Sequence, residues 1–404
     1  MAGPLQGIRV ADFSWVWAGP MCTMQLAHMG AEVIRMETTG RVCTLRMFPP
    51  WPDGQPGPNR SGYFNQYSQG KRSITVDLQN PEGKEIAKRI VAMSDVAVEN
   101  FAGGIIDKLG LGYENLKQVK PDLVMISMSG YGQVGPDSAF VSYGPAQVPL
   151  SGLSSLTGYA GEGPMHVGMS YGDPNAGLHA AFAVLAALYH RDETGEGQYI
   201  DMSQWESSMN VIGDAFMHQV MNGEAPTRDG SRVPHMSPHG VFMCAGEDRW
   251  VSIACGSDDE WRALASAMGR DDLADDARFK TLSDRKANED DLEMAIMEWT
   301  LQADPDEITE KLQAAGVAAY TTLMNKEVLE NPQIAAVGDF WVEKEHPEVG
   351  VRRHAGMPYH FSDTKAEVWR AAPTIGQDND YVYGELLGMS AEEIADYTAR
   401  GVFK

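Results

Sequence analysis

An acidic residue followed by proline heads the most apolar stretch of the chain, Asp173–His190 (DPNAGLHAAFAVLAALYH). Asp-Pro before an apolar helix is the pattern of an N-cap with proline in the first turn, and a helix N-terminus also steadies a carboxylate. Five cations in the first third, Arg35, Arg46, Lys71, Arg72 and Lys108, could meet an anion, although a solvated surface role suits each of them equally. Trp15 and Trp17 flank the end of a β-rich run, where an aromatic ring can face a ligand or pack in the core. Other chemistries are poorly served. Cys22, Cys43, Cys244 and Cys255 form no C-x-x-C pair and the histidines are scattered, so no metal site is expected. No G-x-G-x-x-G follows the first strand and no G-x-x-x-x-G-K-[ST] occurs, which argues against nicotinamide, flavin and P-loop chemistry.

The elements that must position these residues alternate between strand and helix. Ile8–Phe13 reads as a strand, Gly19-Pro20 opens a helix that Gly30 closes, and Ala31–Glu37 reads as the next strand. A long Pro- and Gly-rich loop follows, from about Thr38 to Gly70. Loops of that length are usually functional or wrap another surface. Ser73–Leu78, Val96–Asn100, Leu123–Met128 and Tyr199–Met202 are further strands, and Asn80-Pro81-Glu82 is a helix start. This order predicts a doubly wound parallel sheet, which binds ligands at the carboxyl ends of its strands. Those ends fall near Ser14–Ala18, Glu37, Asn100-Phe101 and Ser129–Gln133. The texture changes around Asn222–Pro238, beyond which Ser257-Asp258-Asp259-Glu260 fits a capping box. The expected organisation is a large α/β domain over 1–224, a smaller α/β domain over 225–330, and a C-terminal segment over 331–404.

The 404 residues carry a net charge of −24, which disfavours nucleic acid and anionic membrane surfaces as partners. The charge is uneven, +2 over residues 1–120 and −26 over the rest. That asymmetry hints at an anionic ligand handled by the N-terminal part. No basic leader with an apolar core stands at the start, and no apolar run reaches the roughly 18–20 residues of a bilayer span. The expected location is the reducing cytoplasm.

The ordered segments Gly7–Phe13 with Ala18-Gly19-Pro20, Gly30–Ile34, Gly70–Ile74 with Asp77-Leu78, Glu99-Asn100-Phe101, Leu109–Glu114, Ser129–Gln133 with Gly135-Pro136, Gly172-Asp173 with Ala176-Gly177, and Thr194–Gln198 before Asp201 resemble the class III CoA-transferases, the CaiB/BaiF family. The resemblance runs nearly the whole length. It implies a Rossmann-like large domain built from both ends of the chain, a small domain between them, and two chains interlocked like links. It also implies that Asp173 is the nucleophile. Its carboxylate would attack an acyl-CoA, giving an aspartyl-acyl anhydride and then an aspartyl-CoA thioester that passes CoA to an acceptor acid. The positions that correspond to CoA contacts are Val16, Trp17 and Ala18, Lys71 and Arg72, Asn100 and Phe101, and Lys108. On this reading the positive excess of the first 120 residues marks the CoA site.

Two departures shape the substrate expectation. The related α-methylacyl-CoA racemases carry a Gly-His-Asp where this chain has Ser142-Tyr143-Gly144. A phenol with a pKa near 10 is a poor base, which makes the racemase the alternative and not the leading reading. Formyl-CoA transferases carry a glycine run where this chain has Arg228-Asp229-Gly230-Ser231-Arg232-Val233. Formate and oxalate are therefore disfavoured, and Arg228 or Arg232 could pair with a substrate carboxylate. The DFSWVWAGP start resembles subunits acting on aryl or branched dicarboxylates such as benzylsuccinate, with succinyl-CoA a candidate donor. Such enzymes can combine two related subunits, so a homodimer, a paralogous partner, or a non-catalytic role for this chain within a heteromer are all consistent.

Overall fold

The computed structural model describes residues 3–404. The first two residues, part of the stretch read for a leader, lie outside it. The chain divides into two compact units. One comprises residues up to Ser154, His166–Glu224 and Gln333–Lys404, and the other Ser155–Met165 and Ala225–Pro332.

The first unit is built on six strands: β1 (Arg9–Asp12), β2 (Glu32–Glu37), β3 (Arg72–Thr75), β4 (Val96–Glu99), β5 (Val124–Ser129) and β6 (Tyr199–Ser203). They pair in parallel in the order β3-β2-β1-β4-β5-β6. Alternation along each strand sends neighbours to opposite faces. Ala11, Ile34, Ile74, Ala97 and Met125 join one core, under helix α3 (Pro81–Ala92). Val10, Val33, Val96, Val98, Val124 and Ile126 join the other, under α1 (Ala18–His28) and the long helix Gly172–Thr194. The C-terminal segment closes the first of these cores: Val382 is fully buried there, and Tyr383 stacks on Phe403 at 3.8 Å. That packing is why residues far apart in sequence share one unit.

The 38–70 loop is not structureless. It contains the short helix α2 (Gly62–Tyr67), capped by Ser61, whose hydroxyl accepts from the Phe64 N–H and donates to the Leu45 carbonyl. The side-chain amide of Gln66 pairs with both backbone groups of Ala355, in a two-stranded hairpin of the same unit (Trp341–His346 and Gly350–Ala355).

The second unit holds a three-stranded antiparallel sheet, His239–Met243, Trp250–Ala254 and Ala318–Thr321, packed on helices around buried Trp261 and Phe279. Ser257 caps the Asp258–Met268 helix as expected, but the Glu260 carboxylate turns back to the Gly256 N–H and not to that of Ser257. Among the described residues no helix is long and apolar enough to cross a membrane.

Candidate active site

Asp173 is not a cap. The long helix begins at Gly172, so Asp173 is its second residue, and its carboxylate lies against Gly144, outside the helix. The backbone N–H groups of Ala18, which starts α1, and of Gly144, which starts the helix Gly144–Leu150, favour its charged form from nearby without closing to full hydrogen bonds. Both donors come from helix starts, where N–H groups lack intrahelical partners. Only glycine fits at 144, because a Cβ there would collide with the Asp173 carboxylate. Asp173 is 7% exposed, and no cation pairs with it among the described residues. Burial disfavours its charged form more than the two N–H groups favour it, so its pKa rises to about 7.

An aromatic wall adjoins it. Trp17 packs edge-on to Tyr63 at 5.2 Å and tilted against Tyr67 at 4.9 Å. Burial, with the Asp173 charge close by, pushes the Tyr63 phenol well above its ordinary pKa and keeps it neutral. These two tyrosines went unseen in the sequence, because GYFNQY shows no helical periodicity inside a loop rich in Pro and Gly.

The turn leading into α1 is tightly specified. Val16 adopts φ 59°, a left-handed conformation costly for a β-branched residue. Its N–H reaches the Cys43 sulfur, while Trp15 is held by Asn100, whose amide accepts from the Trp15 N–H at 2.6 Å and donates to its carbonyl at 2.8 Å.

Beside this turn, at the carboxyl ends of β1 to β4, lies a cavity of about 390 Å³ lined by Trp15, Thr38, Arg41, Gln79, Phe101 and Lys404 among others. The Arg41 guanidinium lies 5.1 Å from the Trp15 ring centroid. Lys108 is exposed on a helical turn, Ile105–Lys108, whose Ile105 also lines the cavity. Arg41 and Lys404, the latter paired with Asp77 at 2.9 Å, are cations that sequence reading did not single out. The strand-end rule pointed to this edge of the sheet, but not to which cations face outward there.

The structure corrects the expected set of anion-facing cations. Arg35, Arg46 and Lys71 are fully buried. Arg46 makes a bidentate pair with Glu37 at 2.6 and 2.8 Å, and its guanidinium lies 3.5 Å from the Phe64 ring centroid. Arg35 approaches the same carboxylate at 3.2 Å from the other side. Together they hold the Glu37 carboxyl down to about 2. Lys71 donates to the Pro20 carbonyl at 2.8 Å and pairs with Asp12 at 3.4 Å; burial lowers its pKa to about 8. These side chains brace the site from beneath. Lys71 ties β3 to the first turn of α1, and the Arg35–Glu37–Arg46 cluster packs under α2, which carries Tyr63 and Tyr67. Arg72 opens β3 at the opposite edge of the sheet and pairs with Glu32 and Asp378. Of the five cations singled out in the sequence, four are thus paired with carboxylates inside the unit, and Lys108 alone remains exposed beside the cavity.

Tyr143 is exposed and precedes the Gly144 donor. In the second unit the Arg228 guanidinium donates to the carbonyls of Glu162 and Ser155, and that of Arg232 is taken by Glu293 and Asp290. Neither offers a free fork to a substrate carboxylate. Glu99 is a second buried carboxyl raised to about 7, but it lies among Ser127, Asp107 and Asp201 and accepts from the Phe101 N–H.

The chain belongs to CoA-transferase family III, whose model matches residues 5–379. It is 31% identical over 399 residues to a succinyl-CoA–D-citramalate CoA-transferase of Chloroflexus aurantiacus, covering 99% of this chain and 98% of that one. It is also 31% identical over 418 residues to a formyl-CoA:oxalate CoA-transferase of Streptomyces coelicolor, covering 99% of each. The crystal structure of a CaiB/BaiF family protein from Brucella suis superposes with a TM-score of 0.88 at 31% identity, covering 96% of this chain and all of that one. The protein is therefore an enzyme of the CoA-transferase class, and CoA thioesters are the substrates of that class.

Proposed function

We propose that this enzyme moves CoA from an acyl-CoA donor to a carboxylic acid through covalent intermediates on Asp173. The observation that carries this reading is the Asp173 carboxyl itself, buried, without a cation, and with two backbone N–H groups favouring its charged form from nearby. An ion pair would lower its basicity and its nucleophilicity; burial raises both. One carboxylate oxygen attacks the thioester carbonyl and the CoA thiolate leaves, giving a mixed anhydride. The thiolate then attacks the Asp173 carbonyl and expels the donor's carboxylate, leaving an aspartyl-CoA thioester. The acceptor carboxylate enters by the reverse steps. The Ala18 and Gly144 N–H groups, which favour the charged carboxyl from nearby, stabilise the oxyanion that forms on that carbonyl.

CoA lies in the 390 Å³ cavity, with its adenine against Trp15 and Phe101 and its phosphates near Arg41, Lys108 and Lys404. The acyl group faces Trp17, Tyr63 and Tyr67. Succinyl-CoA is the proposed donor and an aryl or dicarboxylic acid the acceptor, in keeping with the substrates that name the Chloroflexus relative. The assembly is an interlocked dimer of identical or paralogous chains in the cytoplasm. Phe182 and Tyr189 on the long helix, 75% and 71% exposed, are apolar surface that a second chain would cover.

One experiment separates this reaction from racemisation. In heavy water, the transferase forms product only when a second carboxylic acid is present and leaves the donor's Cα undeuterated. Deuterium uptake at Cα without an acceptor would reject the transferase reading and establish the racemase.

A further inference from the structure

We propose that Glu99 is a positioning residue for the CoA thioester: its carboxylate, buried at the end of β4, holds the Phe101 backbone and keeps that end of the cavity wall in place. The inference rests on the reading of the 390 Å³ cavity as the CoA site, since Phe101 and Ile105 are part of its wall.

Glu99 is the last residue of β4. In the parallel register it stands opposite Ser127 of β5, and Ser127 stands opposite Asp201 of β6. Residues two apart on a strand share a face. Glu99 and Ser127 therefore follow Ala97 and Met125 on the α3 side of the sheet, where the apolar core gives way to a polar row. Glu99 is 1% exposed, and no cation pairs with it among the described residues. The charged groups nearest to it, Asp107 and Asp201, are carboxylates as well. A buried carboxyl in such surroundings is costly to the fold. One of its oxygens accepts from the Phe101 N–H at 2.7 Å, and the other has no hydrogen-bond partner among the described residues. Packing at this position needs no charge; holding Phe101 needs an acceptor.

The next carboxylate in the row fastens the far end of the same wall. Asp201 accepts from the Gln133 N–H with both oxygens, at 2.9 and 3.1 Å. The Gln133 side-chain oxygen in turn accepts from the Gly104 N–H at 3.1 Å. Gly104, left-handed at φ 74°, leads into the helical turn that begins with Ile105. Glu99 thus fixes Phe101, and Asp201 fixes Ile105 through Gln133. Without Glu99 the near end of the wall loses its hold, and the Phe101 ring is free to leave the ligand.

Two variants separate the hydrogen bond from charge and volume. Glu99→Gln and Glu99→Met both remove the charge and fill similar space, but only glutamine keeps an oxygen for the Phe101 N–H. Binding of free CoA is measured by calorimetry at about pH 8, above the value of about 7 to which burial raises the Glu99 carboxyl. Glu99→Met should weaken CoA by about 10-fold or more, the loss expected for a hydrogen bond to a charged group, and Glu99→Gln by less than about threefold. In turnover Glu99→Met should raise KM for the acyl-CoA by a similar factor and change kcat less than about twofold, because Asp173 and its neighbours are untouched. Glu99→Leu, which also lacks an acceptor, serves if Glu99→Met does not fold. Equal weakening by Glu99→Gln and Glu99→Met would assign the effect to the lost charge and overturn the proposal. Arg41→Ala tests the underlying reading. If it weakens CoA and Glu99→Met does not, the cavity stands and the positioning role falls; if neither weakens CoA, the cavity is not the CoA site and both fall.

Discussion

Two carboxylates in the first unit are about equally buried and behave in opposite ways. Glu37 lies between Arg46 and Arg35 and is held down to about 2, whereas Asp173 has only two backbone N–H groups and rises to about 7. Burial acts on both; the counter-charge decides the outcome. The paired carboxylate cements α2 and the strand edge. The unpaired one keeps its basicity, at a cost to the fold, and that makes it suited to attack a thioester.

The largest effect expected from breaking this contrast lies on the paired side. Arg46→Ala leaves Glu37 and the Phe64 face without their main partner, and should destabilise the protein by about 3–5 kcal/mol in urea unfolding. A loss below 1 kcal/mol would mean the cluster is not structural. Gly144→Ala comes next. Its methyl group displaces the Asp173 carboxylate and crowds Ser170, so turnover should fall about 100-fold and overpacking should cost about 1–3 kcal/mol in urea unfolding.

Asp173→Asn has the smaller effect on stability, and its sign is informative. A carboxyl raised from 3.8 to about 7 on folding opposes folding as pH rises from about 4 to 7, by up to about 4 kcal/mol above that range. The neutral variant should therefore be more stable than the parent by roughly 1–3 kcal/mol at pH 8, and by much less at pH 4. Turnover of the parent should rise with pH through about 7, as the nucleophile ionises. Greater stability of the parent at pH 8 would place a counter-charge on Asp173 that this account lacks.

Much of this was legible in the sequence. The six strands show as short β-rich runs set between helix starts such as Gly19-Pro20 and Asn80-Pro81-Glu82, and Asp173 stands out at the head of the longest apolar run. What the Asp173 side chain does there was not legible. Asp-Pro reads as a cap, and the N–H groups that favour its charge, those of Ala18 and Gly144, lie 155 and 29 residues away. The same distance problem misassigned the cations. Arg46 finds Glu37 nine residues upstream, and Lys71 finds Asp12 59 residues upstream. Composition shows an excess of cations but not which carboxylates wait beside them. Arg41, which a count treats as the equal of Arg46, remains at the cavity wall.

The central claim is that the unpaired buried carboxylate, and not another, carries the CoA. Incubating the fully assembled enzyme with succinyl-CoA and other acyl-CoA thioesters, then mapping the adduct by peptide mass spectrometry, tests it directly. The account predicts a CoA thioester on the peptide containing Asp173 and none in Asp173→Asn. An adduct on Glu99, the other carboxyl raised to about 7, or no adduct with any thioester, would contradict it.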